Sequence, residues 1–266
     1  MLHLHEMWES VAPHWAEHVA YADARGARLA ERMLELTAPV EGEDVLELAC
    51  GPGGLGLAAA ARGADVVLSD VAPGMTAIAA ARASELNLDV RTRVLDLERI
   101  DEPDASYDVV LCREGLMFAV NPAEAAREIR RVLRPGGRFA VAVWGPRERN
   151  PWLGVVFDAV AAELARPVPP PGIPGPFSLS DAGRLSELLG CAPVEEVSVP
   201  LRAASFEEWW SRTTALAGPL TSILAGLPDE SKVSPEARVR DAAAAYGTAD
   251  GFEFPGLSLL AYSRRS

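Results

Sequence analysis

The stretch ELACGPGGLG at residues 47–56 constrains this chain most, because it follows the apolar Val45 and Leu46 directly and opens into a helix-forming segment. Gly51, Gly53 and Gly56 supply the spacing G-x-G-x-x-G, which lets backbone come close to a ligand at a strand-to-helix turn. Strands read at DVLELA, DVVLSD, DVRTRVL, YDVVLC and RFAVAVW. Helices alternate with them, from Gly54, from Pro73 to Leu86 and from Pro122 to Leu133, the last meeting the turn RPGG. Short β-branched strands alternating with helices imply right-handed crossovers and a parallel sheet covered on both faces. The expected class is α/β, a Rossmann-like doubly wound fold with a mostly parallel sheet.

The flanks carry a different pattern. Residues 5–20 and 26–37 read as helices, so residues 1–36 are expected to form an N-terminal helical cap on a domain spanning 37–266. After Trp144 the alternation breaks. Residues 146–190, with the helix-free run RPVPPPGIPGPF, are expected as an insertion after the fifth strand that serves as a lid. SLSDAGRLSELLG then reads as a helix capped by Ser180 or Asp181, VEEVSVPL as one strand, SFEEWWSRTTALA and PEARVRDAAAAY as helices, and FEFPGLSLLAYS as one final strand.

A formal charge of −13, with Lys232 the single lysine, excludes the basic stripe that nucleic acid or an anionic membrane would require. The run MLHLHEMWES has neither the charged nor the apolar part of a leader, and a cytoplasmic protein is expected. Cys50, Cys112 and Cys191 are odd in number and far apart, which fits reduced thiols used as small core fillers. The expected partner is a small molecule, and the expected assembly a homodimer.

In a doubly wound sheet, chemistry gathers where strands end. Here the first four strands end at Glu47, at Asp70, at Asp96 and at Cys112, Arg113 and Glu114. A carboxylate at Glu47 about 5 Å from a pyrophosphate would oppose it by about 3 kcal/mol per charge pair at an effective dielectric of 20. It would instead favour a ligand bearing an ammonium and a sulfonium, which describes S-adenosylmethionine. Asp70 follows Gly51 by about 20 residues, the distance at which an acid accepts from ribose hydroxyls. Asp96 can accept from an adenine amino group, with the Leu97 amide beside it.

These segments resemble the class I S-adenosylmethionine-dependent methyltransferases over roughly residues 40 to 145. VLELACGPGG is similar to the family's first motif and DVAPGM to its second, implying ribose binding by Asp70 and adenine packing by Met75. LDLE is similar to the adenine-contacting segment, implying Asp96 and Leu97. YDVVLCREGLMF and EAAREIRRVLRPGGRFAVAVWG are similar to the later strands of ubiquinone-, menaquinone- and natural-product-type members. Ala49 departs from the pattern, which has glycine there. The cofactor lining implied is Glu47, Ala49, Gly51, Gly53, Asp70, Val71, Met75, Asp96, Leu97 and Cys112. The acceptor is expected to be small and partly apolar, because the cap offers Trp8, Trp15, Met117, Phe118, Trp144, Trp152 and Phe177 to it and no cationic cluster is visible. Two rivals differ in class: a nicotinamide oxidoreductase, which leaves Glu47 and LDLE unexplained, and a module that binds the cofactor without turnover.

Methylating a hydroxyl removes a proton, and His14 is the expected base because a neutral imidazole can accept it near neutral pH. HWAEH at residues 14–18 also matches the zinc pattern H-x-x-E-H. No third ligand is in sight, so no metal is expected.

Overall fold

The computed structural model describes residues 2–170, 172–191, 194–226 and 229–265, and the side chains of His3 and Lys232 lie outside the described residues. Helices α1 (Leu2–Glu17) and α2 (Val19–Thr37) precede β1 (Asp44–Leu48), α3 (Gly54–Ala60), β2 (Asp65–Asp70), α4 (Pro73–Glu85), β3 (Val90–Val94), β4 (Tyr107–Arg113), α5 (Pro122–Val132) and β5 (Leu133–Trp144). There follow α6 (Pro151–Leu164), α7 (Ala182–Leu189), β6 (Val194–Ser198), β7 (Leu201–Ala203), α8 (Phe206–Leu216), α9 (Gly218–Ala225), α10 (Asp229–Ala243), β8 (Gly247–Thr248), β9 (Gly251–Phe254) and β10 (Leu257–Arg264).

Seven strands form one sheet in the order β3-β2-β1-β4-β5-β10-β6. The first five are parallel, and β10 runs antiparallel between β5 and β6. The order reverses between β1 and β4, so their carboxyl ends open the crevice where such sheets bind ligands. One face is covered by α2, whose Leu29, Met33 and Leu34 join a buried cluster with Val45, Val109 and Leu260. The other is covered by α5, whose Ala125, Ile129 and Val132 pack with Leu46, Val110 and Phe139. Each large side chain so buried contributes about 1.5–3 kcal/mol, and together they hold the strand ends in fixed register.

Two runs that read as single strands are each divided. VEEVSVPL gives β6 to the main sheet and β7 to a small antiparallel sheet, ordered β7-β9-β8, and FEFPGLSLLAYS gives β9 to the small sheet and β10 to the main one. Pro200 and Pro255 sit at the two breaks, where a residue without an N–H cannot continue a central ladder. Gly256 is required beside them, since a Cβ there would collide with the Val199 carbonyl. The RPGG turn lies inside β5: Gly136 has φ 77°, and the pairing with β4 shifts register between Tyr107 and Val109.

The expected lid at 146–190 also divides. Helix α6 joins a third apolar cluster with Phe206, Trp209 and Phe254, while α7 packs on α5, β6 and β10. Asp181 caps α7 by accepting from the Arg184 amide at 2.8 Å, and Ser205 caps α8 by accepting from Glu208 at 3.2 Å. Much of the roof over the strand ends comes instead from α1, which packs on α4, α8 and α9.

Candidate active site

At the reversal point lies a cavity of about 1250 Å³, its mouth included. The loop after β1 builds its floor with left-handed residues at Ala49 (φ 51°), Gly51 (φ 52°) and Gly53 (φ 82°). A Cβ at Gly51 would meet nothing within 4 Å, so bare backbone faces open space there. Two acids hold this loop. Asp70 accepts from the Gly51 amide at 2.9 Å through Oδ2 and from the Ala72 amide at 3.0 Å through Oδ1. Glu47 Oε2 accepts from the Gly56 amide at 2.8 Å. Arg82 braces the loop from outside, donating to the Pro52 carbonyl at 2.6 Å and pairing with Asp23 of α2.

The electrostatics follow from burial. Glu47 is 1% exposed, and desolvation pushes its carboxyl up to about 7 although Arg113 and the Gly56 amide pull the other way. Desolvation likewise raises Asp70 above the ordinary carboxylate range against its amide bonds. Glu47 therefore spends one oxygen on the loop while still bordering the cavity.

Of the residues expected to line the cofactor site, Glu47, Ala49, Gly51, Asp70, Val71, Met75, Asp96 and Leu97 border this cavity, together with Trp8, Trp15, Phe118 and Trp144 of the expected acceptor site. Met75 is packed under α1 with Val11 and Ala12. Asp96 Oδ1 accepts from the Glu98 amide at 2.9 Å, and its other oxygen lies 3.8 Å from His5 Nε2.

Six expected residues are not on that lining, among them Phe177, which packs against Phe157. Gly53 caps α3 and lies under Ala79, where a Cβ would sit 3.0 Å from the Ala79 Cβ. Cys112 is wholly buried inside β4, its thiol pushed up to about 12 by burial. Met117 Sδ accepts from the Trp144 amide at 3.5 Å in the core behind the wall. His14 is exposed on α1, its Nδ1 3.6 Å from Glu17 Oε2, because Val11, Ala12 and Trp15 take the inward face of that helix. Trp152 borders a second chamber.

That second chamber, about 730 Å³ with its mouth included, adjoins the first along Trp15, Arg113, Glu114, Trp144, Leu216 and Ala217. Arg25, Arg113 and Arg212 all line it. The expectation of a site without a cationic cluster is thus corrected: the three arginines are dispersed in sequence, on α2, β4 and α8, and only the tertiary fold brings them together. Among the described residues, no group of three His, Cys, Asp or Glu is placed to hold a metal ion.

The comparisons agree with this geometry. Residues 45–137 match the model of the methyltransferase domain family. Residues 45–137 are thus similar to a methyltransferase domain, set on a Rossmann-like sheet. The chain is 39% identical over 106 residues to a demethylmenaquinone methyltransferase of Clavibacter sepedonicus, covering 39% of this chain and 42% of that one. It is 32% identical over 146 residues to an uncharacterized protein of Mycobacterium tuberculosis, covering 52% and 53%. The chain spans about half the length of the curated relatives it matches. In fold, it superposes on the YcgJ protein of Bacillus subtilis with TM-score 0.60 at 18% identity, over 89% of this chain and 97% of that one.

Several residues bordering these two cavities carried no assigned role in the sequence: His5, Arg25, Glu114, Pro176 and Leu216. Glu114 had a signal, its position at the exit of β4. It is held at φ 59°, and its Oε1 accepts from Ser258 Oγ at 2.9 Å. Arg25 and Leu216 had none, since their helices reach the sheet only through long-range packing. Among the described residues, no helix is long and apolar enough to cross a membrane.

Proposed function

We propose that this chain transfers a methyl group from S-adenosylmethionine to a small, partly apolar acceptor. The observation that carries the reading is the convergence of Glu47, Asp70 and Asp96 with the bare backbone of the glycine loop on one cavity. This donor and acceptor set suits an adenosine with a cationic tail and opposes a pyrophosphate. When bound, S-adenosylmethionine supplies a methyl group on a sulfonium.

The chain's own residues do the rest. Asp70 keeps acceptor lone pairs beyond its two amide bonds for ribose hydroxyls, and Asp96 does so for an adenine amino group. Met75, Val71 and Leu97 offer an apolar surface for the base. Helix α1, through Trp8 and Trp15, covers the cavity and excludes water, so that positioning and a dry site provide most of the acceleration. Glu114 borders both chambers, which supports it as the group that receives the acceptor's proton, whereas His14 borders neither.

Calorimetry tests the reading. S-adenosylhomocysteine is expected to bind without added metal, and NADH is not. Tight NADH binding would overturn it.

A further inference from the structure

Arg25 is the least compensated charge at the wall of the second chamber. Its guanidinium lies 4.1 Å from the Trp152 ring centroid, yet Nε and Nη2 are buried with no hydrogen-bond partner. The neighbouring arginines are answered. Arg212 Nη2 is 2.6 Å from Glu208 Oε1, while Arg113 is opposed by Glu47 and donates to the Gly26 carbonyl at 3.4 Å. A second orphan stands at the same wall, the buried indole Nε1 of Trp144. The other indoles nearby are satisfied: Trp15 donates to the Leu216 carbonyl at 3.2 Å and Trp152 to Asn150 Oδ1 at 3.1 Å. Buried donors without acceptors are unfavourable, the more so when they belong to a charged group. The chamber's lining thus brings these donors together with the aromatic side chains of Tyr21, Trp144 and Trp152.

We propose that the second chamber takes a carboxylate on the methyl acceptor, which is a planar aromatic acid; this rests on the methyltransferase reading above. Arg25 and Trp144 Nε1 are the donors to the carboxylate, and the acceptor's ring packs on the apolar lining beside them. One guanidinium and one indole N–H match the two oxygens of a carboxylate, whereas a phosphate would call for a wider cradle of donors. Glu114 lines both chambers and Arg25 only the second. Like-charge repulsion from Glu114 therefore turns the acid end toward Arg25, leaving the acceptor's nucleophilic atom at the border with the first chamber. In the transfer, a lone pair of that atom forms the new bond to the methyl carbon, the carbon–sulfur bond breaks with its pair remaining on sulfur, and the acceptor's proton passes to Glu114.

The test uses the full chain saturated with S-adenosylhomocysteine and three probes, 2-naphthoate, 2-naphthamide and 2-naphthyl phosphate, followed by calorimetry. Naphthoate is expected to bind at least about tenfold more tightly than the amide, as a charge-assisted pair requires. Arg25→Gln should abolish that preference without changing S-adenosylhomocysteine affinity, Arg25→Lys should retain part of it, and Trp144→Phe should weaken naphthoate alone. Equal binding of acid and amide, no binding of naphthoate, tighter binding of the phosphate, or an Arg25→Gln variant that loses thermal stability but keeps the preference would each overturn the inference. Failure of S-adenosylhomocysteine itself to bind would instead overturn the methyltransferase reading on which it rests.

Discussion

The methyl group of Ala49 occupies the space that a side chain at Gly115 would need: a Cβ at Gly115 collides with the Ala49 Cβ and stands 3.2 Å from Cys112 Sγ. Ala49 itself is held at φ 51°, a conformation that disfavours an L side chain by about 1 kcal/mol. The alanine that departs from the glycine of the methyltransferase motif thus has a counterpart across the loop.

Gly115→Ala is therefore expected to destabilise the fold by about 1–3 kcal/mol through overpacking. Ala49→Gly should be close to neutral, because relief at φ 51° is offset by the greater freedom of glycine when unfolded. The double variant should recover more than half of the loss. Urea melts of the four proteins measure the coupling, and strict additivity would show that Ala49 is not the obstacle.

Glu47 makes stability depend on pH. Its folded pKa, about 7, lies above the ordinary value of 4.5, so the folded state holds the proton more tightly than the unfolded one. The stabilisation is fully present below about 4.5 and is lost as pH rises through about 7, amounting to about 3 kcal/mol. Glu47→Gln, which keeps an acceptor for Gly56, should flatten that part of the melting-temperature profile between pH 5 and 7.5 (roughly the titration window). An unchanged profile would show that Glu47 does not titrate there.

A cationic ligand needs Glu47 ionised. S-adenosylmethionine affinity is therefore expected to rise as pH increases toward about 7, with a proton released on binding, and to lose that dependence in Glu47→Gln. Calorimetry in buffers of different ionisation enthalpy reads the proton directly. No proton release would leave Glu47 as a brace of the loop only.

Asp70 serves the loop and the ligand together, and two variants separate the roles. Asp70→Asn keeps one oxygen for the Gly51 or Ala72 amide but loses the charge, and S-adenosylhomocysteine affinity should fall by at least about tenfold. Asp70→Ala strips both amides of their acceptor and should in addition lower the melting temperature. If Asp70→Asn binds like the wild type, the residue acts on the loop alone.

For turnover, His14→Ala should change kcat by less than about twofold, while Glu114→Gln should lower it by about a hundredfold with little effect on cofactor affinity. The readout is S-adenosylhomocysteine release with a hydroxyl-bearing naphthoate as acceptor. A large His14 effect would restore that histidine as the base.

The sequence by itself determined the frame: glycine loop, strand-to-helix alternation and the spacing of Glu47, Asp70 and Asp96, all of them local. Strand period and helix period are written within ten or so residues, and an acid at a strand end stays at that end in any doubly wound sheet. The tertiary structure decided everything that depends on distant segments meeting. VEEVSVPL and FEFPGLSLLAYS read as single strands because alternation continues through them; which half joins which sheet was set by Pro200, Pro255 and the contact of Gly256 with Val199. His14 and Trp15 are neighbours in sequence, but the packing of α1 on α4 turned Trp15 inward and left His14 exposed. Arg25, Arg113 and Arg212 lie on α2, β4 and α8, and no periodicity links them. A charge cluster of that kind exists only once apolar burial has paid the loop entropy of bringing those elements together.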